Sequence, residues 1–180
     1  MNDRLKQKLK NVKLIISDVD GVLTDGSIYI GANSEEMKRF SVEDGAGVAL
    51  AKVAGLKIAL LSGRYSPATE IRGKELKIED IYNGMLNKIP AYEELKRKYN
   101  LEDSEIIYIG DGLIDIPVME RAGIPVSVKN AHPTAKETSV YVTDKSGGSG
   151  ALQETIELVL KAQNQYDDAI NKMREKVLNL

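Results

Sequence analysis

Short apolar runs alternate with stretches of helical periodicity along most of this chain. Four runs, residues 12–17, 57–61, 106–109 and 125–128, are predicted strands. They are too short for independent helices, and Gly, Asp or Ser residues bound them. The predicted helices lie near residues 44–54, 67–76, 90–99, 114–122 and 150–162. This alternation predicts a single α/β domain over residues 1–180, with a Rossmann-like parallel sheet and helices on both faces.

Residues 26–41, GSIYIGANSEEMKRFS, interrupt the alternation. Two short β-like runs around a Gly-Ala-Asn-Ser turn predict a β-hairpin inserted after the first strand. An isolated hairpin is marginal in water, so we expect it to pack on its own domain or on a neighbouring subunit. At the two ends, residues 1–13 are predicted to be a short surface helix or a frayed start, and residues 163–180 a polar tail.

The amino-acid composition excludes several classes of ligand and active site. A formal net charge of -2 provides no global positive field for nucleic acid or an anionic membrane, and no apolar run is long enough to span one. The absence of cysteine excludes thiol catalysis and thiolate metal sites, and it fits a cytoplasmic location. With a single histidine beside 27 acidic residues, a metal site would use carboxylates, whose hard oxygen ligands favour Mg²⁺ over Zn²⁺.

Two aspartates, Asp18 and Asp20, directly follow the first predicted strand. On an extended chain, residues two apart point to the same side, here at the strand end where open α/β sheets bind ligands. Their mutual repulsion would be relieved by Mg²⁺, which also neutralises a phosphate. One carboxylate is then suited to attack phosphorus and the other to carry a proton. The alternative is a turn in which both acids cap backbone amides.

A second acidic pair, Asp111 and Asp115, follows the strand at residues 106–109. Gly110 and Gly112 let the backbone approach a ligand closely. Asp115 lies one helical turn beyond Asp111, where it would orient a metal ligand or a water. The alternative for Asp115 is a helix cap.

Hydroxyl and basic side chains complete the set of candidates. Ser62, Gly63 and Arg64 follow the strand at residues 57–61, and they suit phosphate oxygens or a carboxylate, although an ordinary turn would look the same. Lys88, before the helix near residue 90, would offer a point charge to a phosphoryl group. Without the other motifs, Lys88 would be read as a surface lysine.

Together these motifs resemble the haloacid dehalogenase-like phosphohydrolases. Within them, the chain is similar to the small 3-deoxy-D-manno-octulosonate 8-phosphate phosphatases, which lack a large cap domain. The segments that carry this resemblance are DVDGVLTDG, SVEDGAG, SGR, IGDGLIDIPVME and KNAHP. The similarity extends over about residues 12–162.

The resemblance implies a Mg²⁺-dependent phosphomonoesterase that acts through an aspartyl-phosphate. Asp18 would be the nucleophile and Asp20 the general acid and then base. Mg²⁺ would be bound by Asp18, the backbone carbonyl of Asp20 and Asp111, with Asp115 behind them. The phosphoryl group would contact Ser62 and Lys88. The sugar acid would face Asp20, Ser41, Asp44, Gly45, Gly63, Arg64, Arg72 and Lys88.

The resemblance also implies a homotetramer in which the hairpin of one subunit shapes the site of the next. Three positions depart from the family pattern: Gly112 replaces a usual Asp, Ser149 a frequent Arg, and Ala49 an occasional basic residue. The last two leave open a nonulosonate 9-phosphate phosphatase of the sialic acid type. A receiver-like signalling module or a regulatory domain without activity is the alternative from another class. A receiver also uses acids after its first strand and a Lys, but it carries its acceptor Asp at the end of its third strand, whereas here the second predicted strand ends in Ser62.

Overall fold

Six parallel strands form the central sheet of the molecule, and two more form the hairpin. The structure, a computed structural model, describes residues 3–178. The strands are β1 (Leu14–Ser17), β2 (Tyr29–Ile30), β3 (Glu36–Met37), β4 (Lys57–Ser62), β5 (Asp80–Asn83), β6 (Ile106–Gly110), β7 (Ile124–Ser127) and β8 (Tyr141–Val142). The helices are α1 (Asp3–Leu9), α2 (Val42–Ala54), α3 (Pro67–Glu75), α4 (Ile89–Tyr99), α5 (Ile116–Met119), α6 (Pro133–Thr138), α7 (Ala151–Ala162) and α8 (Tyr166–Leu178).

The strand order β5-β4-β1-β6-β7-β8 places β1 between β4 and β6. Ile15 of β1 lies opposite Ile58 and Ile107, and every residue of β1 and β6 is buried. After β1 the chain adds β4 and then β5 on one side of β1, and it then crosses to the other side of β1 to form β6. As right-handed crossovers require, helices cover both faces: α2 packs against α7, and α4 and α6 pack against α5. In open sheets of this kind, ligands bind at the carboxyl ends of the two strands on either side of such a reversal, which here are β1 and β6.

The predicted fold class is confirmed, and no cap domain is evident within residues 3–178. The predicted hairpin is also present, with Tyr29 paired antiparallel to Met37. The strands β5 and β8 and the helix α6 were not predicted, because their runs are too short or too polar for periodicity to show. The helix predicted at residues 114–122 is a 3₁₀ turn, Leu113–Asp115, followed by the short α5.

Both chain ends are helical within the described residues. Most of the segment predicted as a polar tail, residues 163–180, is α8, which buries Ala169 and packs against α2. The short helix predicted at the start of the chain is α1, which buries Leu5 and Leu9 and contacts α7. Positions 1, 2, 179 and 180 lie outside the described residues. Among residues 3–178, no helix combines the length and apolar character needed to cross a membrane.

Candidate active site

The carboxyl ends of three neighbouring strands bring the predicted chemical residues together. Asp18 follows β1, Asp111 follows β6, and Ser62 ends β4. The backbone N–H of Asp18 donates to the carbonyl oxygen of Ile109 at 2.9 Å, so the β1 to β6 ladder continues up to Asp18 itself. The position of this carboxylate is therefore set by the most buried part of the sheet.

A buried network surrounds Lys88 beside these strand ends. Its Nζ lies 2.8 Å from Oδ1 of Asp18 and 2.7 Å from Oδ1 of Asp115. Nζ also lies 3.0 Å from the hydroxyl oxygen of Tyr108, which donates to Oδ1 of Asp115 at 2.6 Å. Both Lys88 and Asp115 have fully buried side chains. Lys88 is thus no surface lysine, because burying an ammonium requires the two carboxylates that it contacts.

The remaining oxygen of Asp115, Oδ2, accepts hydrogen bonds from the backbone N–H groups of Asp111 at 3.0 Å and Gly112 at 2.9 Å. Asp115 therefore caps this turn, as the alternative reading expected, and at the same time binds Lys88. With both oxygens engaged, its contribution is to orient its neighbours, whereas the carboxylates of Asp18 and Asp111 are left for a ligand.

Burial and the charges of neighbouring residues shift the pKa values of the residues in this cluster. Burial raises the pKa of Asp18 to about 8, against the opposing effect of Lys88. Burial and the adjacent Asp115 raise the pKa of Asp111 to about 6. Burial by itself would lower the pKa of Lys88, but Asp18 and Asp115 raise it above its usual value. The cluster thus has more buried carboxylates than one ammonium can compensate.

The residues of the cluster fit a hard divalent cation. One carboxylate oxygen from each of Asp18, Asp111 and Asp115 lies within 4.8 Å of the other two, and those of Asp18 and Asp111 are the ones left to bind a cation directly. Gly21, at a φ of +91°, lets the loop after β1 lie against Asp111, because a Cβ there would overlap that carboxylate. A cation would supply the missing positive charge, and oxygen ligands of this kind suit Mg²⁺.

Asp20 lies on the hairpin side of the site. Lys38, directly after β3, donates from Nζ to both carboxylate oxygens of Asp20, at 2.6 and 2.9 Å. Glu36 of β3 forms an ion pair with Arg64. Neither Lys38 nor Tyr108 was predicted as a site residue. For Lys38 a signal existed, since the order Glu36-Met37-Lys38 places two charged side chains on one face of an extended hairpin arm.

The Ser62-Gly63-Arg64 segment lies next to Lys88. The hydroxyl of Ser62 donates to the backbone carbonyl of Arg64 at 2.8 Å, which closes the turn. A Cβ on Gly63 would lie 3.7 Å from Cε of Lys88. The structure therefore gives this segment the geometry of an ordinary turn and also places it beside Lys88 in the cluster.

The predicted sugar-acid residues divide into two groups. Nη2 of Arg72 donates to the backbone carbonyl of Ser41 at 3.2 Å, and a Cβ on Gly45 would lie 2.8 Å from Nη2, so these three residues lie together. The carboxylate of Asp44, in contrast, is buried and accepts from the backbone N–H groups of Gly150 and Gln153, at 3.3 and 3.1 Å. The side chain of Asp44 therefore caps α7, and a contact of this residue with the substrate stays a prediction.

The three departures from the family pattern occupy separate places. A Cβ on Gly112 would meet only Oδ2 of Asp115, at 3.9 Å, so a larger residue fits there. Ser149 is exposed in the loop after β8, next to Gly148, whose backbone N–H donates to the carbonyl of Val22 at 2.9 Å. Ala49 lines a cavity of about 300 Å³ beneath α8. None of the three breaks the acidic cluster.

Comparison with known proteins agrees with this geometry. Residues 58–154 match the haloacid dehalogenase-like hydrolase family. The 3-deoxy-D-manno-octulosonate 8-phosphate phosphatase KdsC of Salmonella typhi is 43% identical over 162 residues, which is 90% of this chain and 86% of the relative.

Two solved structures share the fold over nearly the whole chain. The Yersinia pestis phosphatase of that name has a TM-score of 0.91 at 39% identity, over 93% of this chain and 90% of its own. The Moraxella catarrhalis phosphatase, solved in complex with a magnesium ion, a phosphate ion and KDO, has a TM-score of 0.92 at 39% identity, over 96% and 99%. The chain belongs to the haloacid dehalogenase-like hydrolases, and within them to the 3-deoxy-D-manno-octulosonate 8-phosphate phosphatase family.

Proposed function

We propose that this protein is a Mg²⁺-dependent phosphomonoesterase that hydrolyses 3-deoxy-D-manno-octulosonate 8-phosphate to the free sugar acid and phosphate. The observation that carries the proposal is the cluster of Asp18, Asp111, Asp115 and Lys88 beside the carboxyl ends of β1 and β6. It combines a carboxylate nucleophile, a cation site and a buried ammonium within one hydrogen-bonded network. Relatives at 43% identity carry the name of this activity, and the Moraxella catarrhalis structure contains the corresponding ligands.

In the first step, a carboxylate oxygen of Asp18 attacks phosphorus and the bond from phosphorus to the sugar oxygen breaks. The leaving oxygen takes its proton from the carboxyl group of Asp20. Lys88 and the Ser62 turn contact the equatorial oxygens, on which most of the charge of the transition state lies. Mg²⁺, bound by Asp18, Asp111 and the backbone carbonyl of Asp20, would neutralise charge on the phosphoryl group.

In the second step, the Asp20 carboxylate takes a proton from a water molecule as that water attacks the phosphorus of the aspartyl-phosphate. The bond between phosphorus and Asp18 breaks, phosphate leaves, and the Asp18 carboxylate is restored. Asp20 is returned to its protonated form, so the cycle balances. Asp115 keeps Lys88 and the Asp111 turn in place throughout, since its four hydrogen bonds and ion pairs are all internal.

The sugar acid adds a carboxylate that needs a forked donor. Arg64 and Arg72 are proposed for this contact, with Ser41, Gly45 and Gly63 beside them. Arg64 is about half exposed, with a side-chain accessibility of 48%, and forms its ion pair at the hairpin. Arg72 has a buried Nε without a partner among residues 3–178.

We propose self-association through the hairpin, as the predicted homotetramer requires. One side of the hairpin contacts Asp20 and Arg64 of its own chain, whereas Ile28, Tyr29, Ile30 and Met37 are exposed. A hairpin this short is not stable without further packing. Sedimentation velocity tests this self-association. We expect the wild-type chain to sediment as a tetramer and the Ile30→Lys variant to sediment as smaller species. The cytoplasmic location stays a prediction.

Steady-state kinetics test the proposed function. With Mg²⁺ present, the purified chain is expected to hydrolyse 3-deoxy-D-manno-octulosonate 8-phosphate with a higher kcat/KM than a nonulosonate 9-phosphate. The reverse order would assign the chain to the alternative substrate. Turnover of neither sugar ester nor a generic aryl phosphate above the Asp18→Asn background would favour the receiver-like or regulatory alternative. That alternative has a structural difficulty, since β5, the third strand of the sheet along the chain, ends at Asn83.

A further inference from the structure

The hairpin places a buried ammonium against the proposed acid/base. The side chain of Lys38 has no accessible surface, whereas that of Asp20 is 27% exposed. Besides its two bonds to Asp20, Nζ of Lys38 contacts the hydroxyl of Thr69 at 3.4 Å. An ammonium is costly to bury without carboxylate partners, and Lys38 has two: the close pair with Asp20 and a longer one with Oε1 of Glu36, at 3.8 Å. The ion pair of Lys38 and Asp20 is therefore largely buried, unlike a pair on the protein surface.

Asp20 depends on Lys38 for its orientation. Within residues 3–178, the hydrogen bonds that its carboxylate accepts both come from Lys38. Asp18, in comparison, follows a buried strand and contacts Lys88. A general acid must lie within hydrogen-bond distance of the atom it protonates, and a displacement of 1 Å costs about 100-fold in rate. Without Lys38, the Asp20 side chain is free to rotate toward solvent.

We propose that Lys38 is a positioning residue for the proton transfer of Asp20, so that the inserted hairpin completes the acid/base of the site. This inference rests on the proposed function. An ammonium has three donors, so one of them can hold one oxygen of Asp20 while the other oxygen carries the proton. The neighbouring Glu36, paired with Arg64, fixes the same arm of the hairpin to the turn after β4.

The dependence of rate on the leaving group separates this role from a structural one. Cleavage of an alkyl phosphate needs a proton on the leaving oxygen. The leaving group of p-nitrophenyl phosphate is p-nitrophenolate, a weak base that leaves with little help from an acid. The ratio kcat/KM includes the first phosphoryl transfer but not the hydrolysis of the aspartyl-phosphate. Values of kcat/KM for both esters therefore report on Asp20 as an acid.

For Lys38→Met we expect kcat/KM for the sugar-acid phosphate to fall by about 100-fold, in line with a misplaced acid, and to fall far less for p-nitrophenyl phosphate. Lys38→Arg, which keeps a charged donor, is expected to recover part of the loss. The matched control is Lys74→Met, an exposed lysine of α3, which is expected to leave both substrates unchanged.

No loss on either ester would overturn the role of Lys38, as would equal losses in a Lys38→Met protein whose circular dichroism spectrum and Tm match those of the wild type. If Lys38→Met loses both activities with a changed spectrum, it has failed to fold, and Lys38→Arg is then measured on both esters with the same two overturning outcomes. If the wild-type chain hydrolyses aryl and alkyl phosphates but not the octulosonate ester, the proposed substrate fails. The test of Lys38 then proceeds with an alkyl phosphate that the wild type does hydrolyse.

Discussion

The two sides of the active site are built differently. On the sheet side, Asp18, Lys88 and Asp115 follow or contact buried strands, and their side chains are 5% exposed or less. On the hairpin side, Asp20 and Arg64 contact the inserted arm at residues 36–38, and both are partly exposed. In the proposed mechanism, the first side holds the groups that react with phosphorus, and the second holds the groups that face the leaving sugar.

The difference indicates how the fold separates chemistry from recognition. Groups at buried strand ends cannot shift without disturbing the sheet, which suits a reaction with strict geometry. Groups attached to an insert can be changed with little effect on the core. We therefore expect substitutions on the sheet side to affect every phosphate ester equally, and those on the hairpin side to affect esters according to their sugar or leaving group.

The largest effect is expected for Asp18→Asn. Loss of the nucleophile should lower kcat by roughly 10⁴-fold or more on every ester, with the fold intact. The matched control is Asp80→Asn, which removes another buried aspartate, at the start of β5, where it contacts Lys98. That variant should lose stability but keep kcat. Retained turnover in Asp18→Asn would refute the assignment of the nucleophile.

Lys88→Met tests the sheet side as a buried charge network. Without the ammonium, Asp18 and Asp115 are left buried and uncompensated, and we expect the Mg²⁺-free protein to lose about 3–5 kcal/mol of unfolding free energy. We expect kcat to fall by about 10²–10³-fold for all esters. In comparison, Lys98→Met removes a lysine that is 44% exposed and leaves the buried Asp80 with its hydrogen bond from Tyr99, so it should cost less, about 1 kcal/mol. Urea unfolding measures both, and equal losses would contradict a special role for Lys88.

Arg64→Ala tests the hairpin side as a recognition surface. A lost charged hydrogen bond is worth about 1.5–3 kcal/mol, so KM for the sugar-acid phosphate should rise about 10–100-fold. The KM for p-nitrophenyl phosphate, which has no sugar carboxylate, should stay unchanged. Arg97→Ala, at an exposed position of α4, serves as the control. A rise in KM for both esters would place Arg64 at the phosphate instead.

The smallest expected effect concerns Mg²⁺ and pH. The folded pKa values of Asp18, about 8, and Asp111, about 6, exceed the unfolded value of about 3.9. The folded state then binds more protons, so unfolding free energy in the Mg²⁺-free protein falls as pH rises from about 4 to 8. Since Mg²⁺ binds the ionised carboxylates, it should oppose this fall.

Thermal unfolding in the presence of Mg²⁺ checks this linkage. At about 100 times its Kd, a ligand adds about 2.7 kcal/mol, which is roughly 5–10 °C in Tm for a chain of this size. The increase in Tm should be larger at pH 8 than at pH 5, and Asp111→Asn should reduce it. An increase that is equal at both pH values would show that these carboxylates do not bind the ion.

The sequence predicts the site residues that directly follow strands, but not the contacts between residues that are distant along the chain. Asp18, Asp111 and Ser62 follow apolar runs that periodicity detects, and parallel strands bring their ends together. The burial of Lys88 depends on Tyr108 and Asp115, which are distant in sequence, so no local pattern indicates it. The cap formed by Asp44 on α7 has the same origin. The helix α8 was missed because most of its residues are polar, although Ala169, Ile170 and Met173 recur at helical spacing and pack against the core.

The most direct test of the account is to trap the phosphoryl group on the protein. The wild-type chain, mixed with Mg²⁺ and ³²P-labelled 3-deoxy-D-manno-octulosonate 8-phosphate, is quenched in acid within one turnover, digested and mapped. We predict a transient label on the peptide that contains Asp18, which decays at the rate of phosphate release and is absent from Asp18→Asn. Turnover without this label, or a label on another residue, would contradict the proposed mechanism.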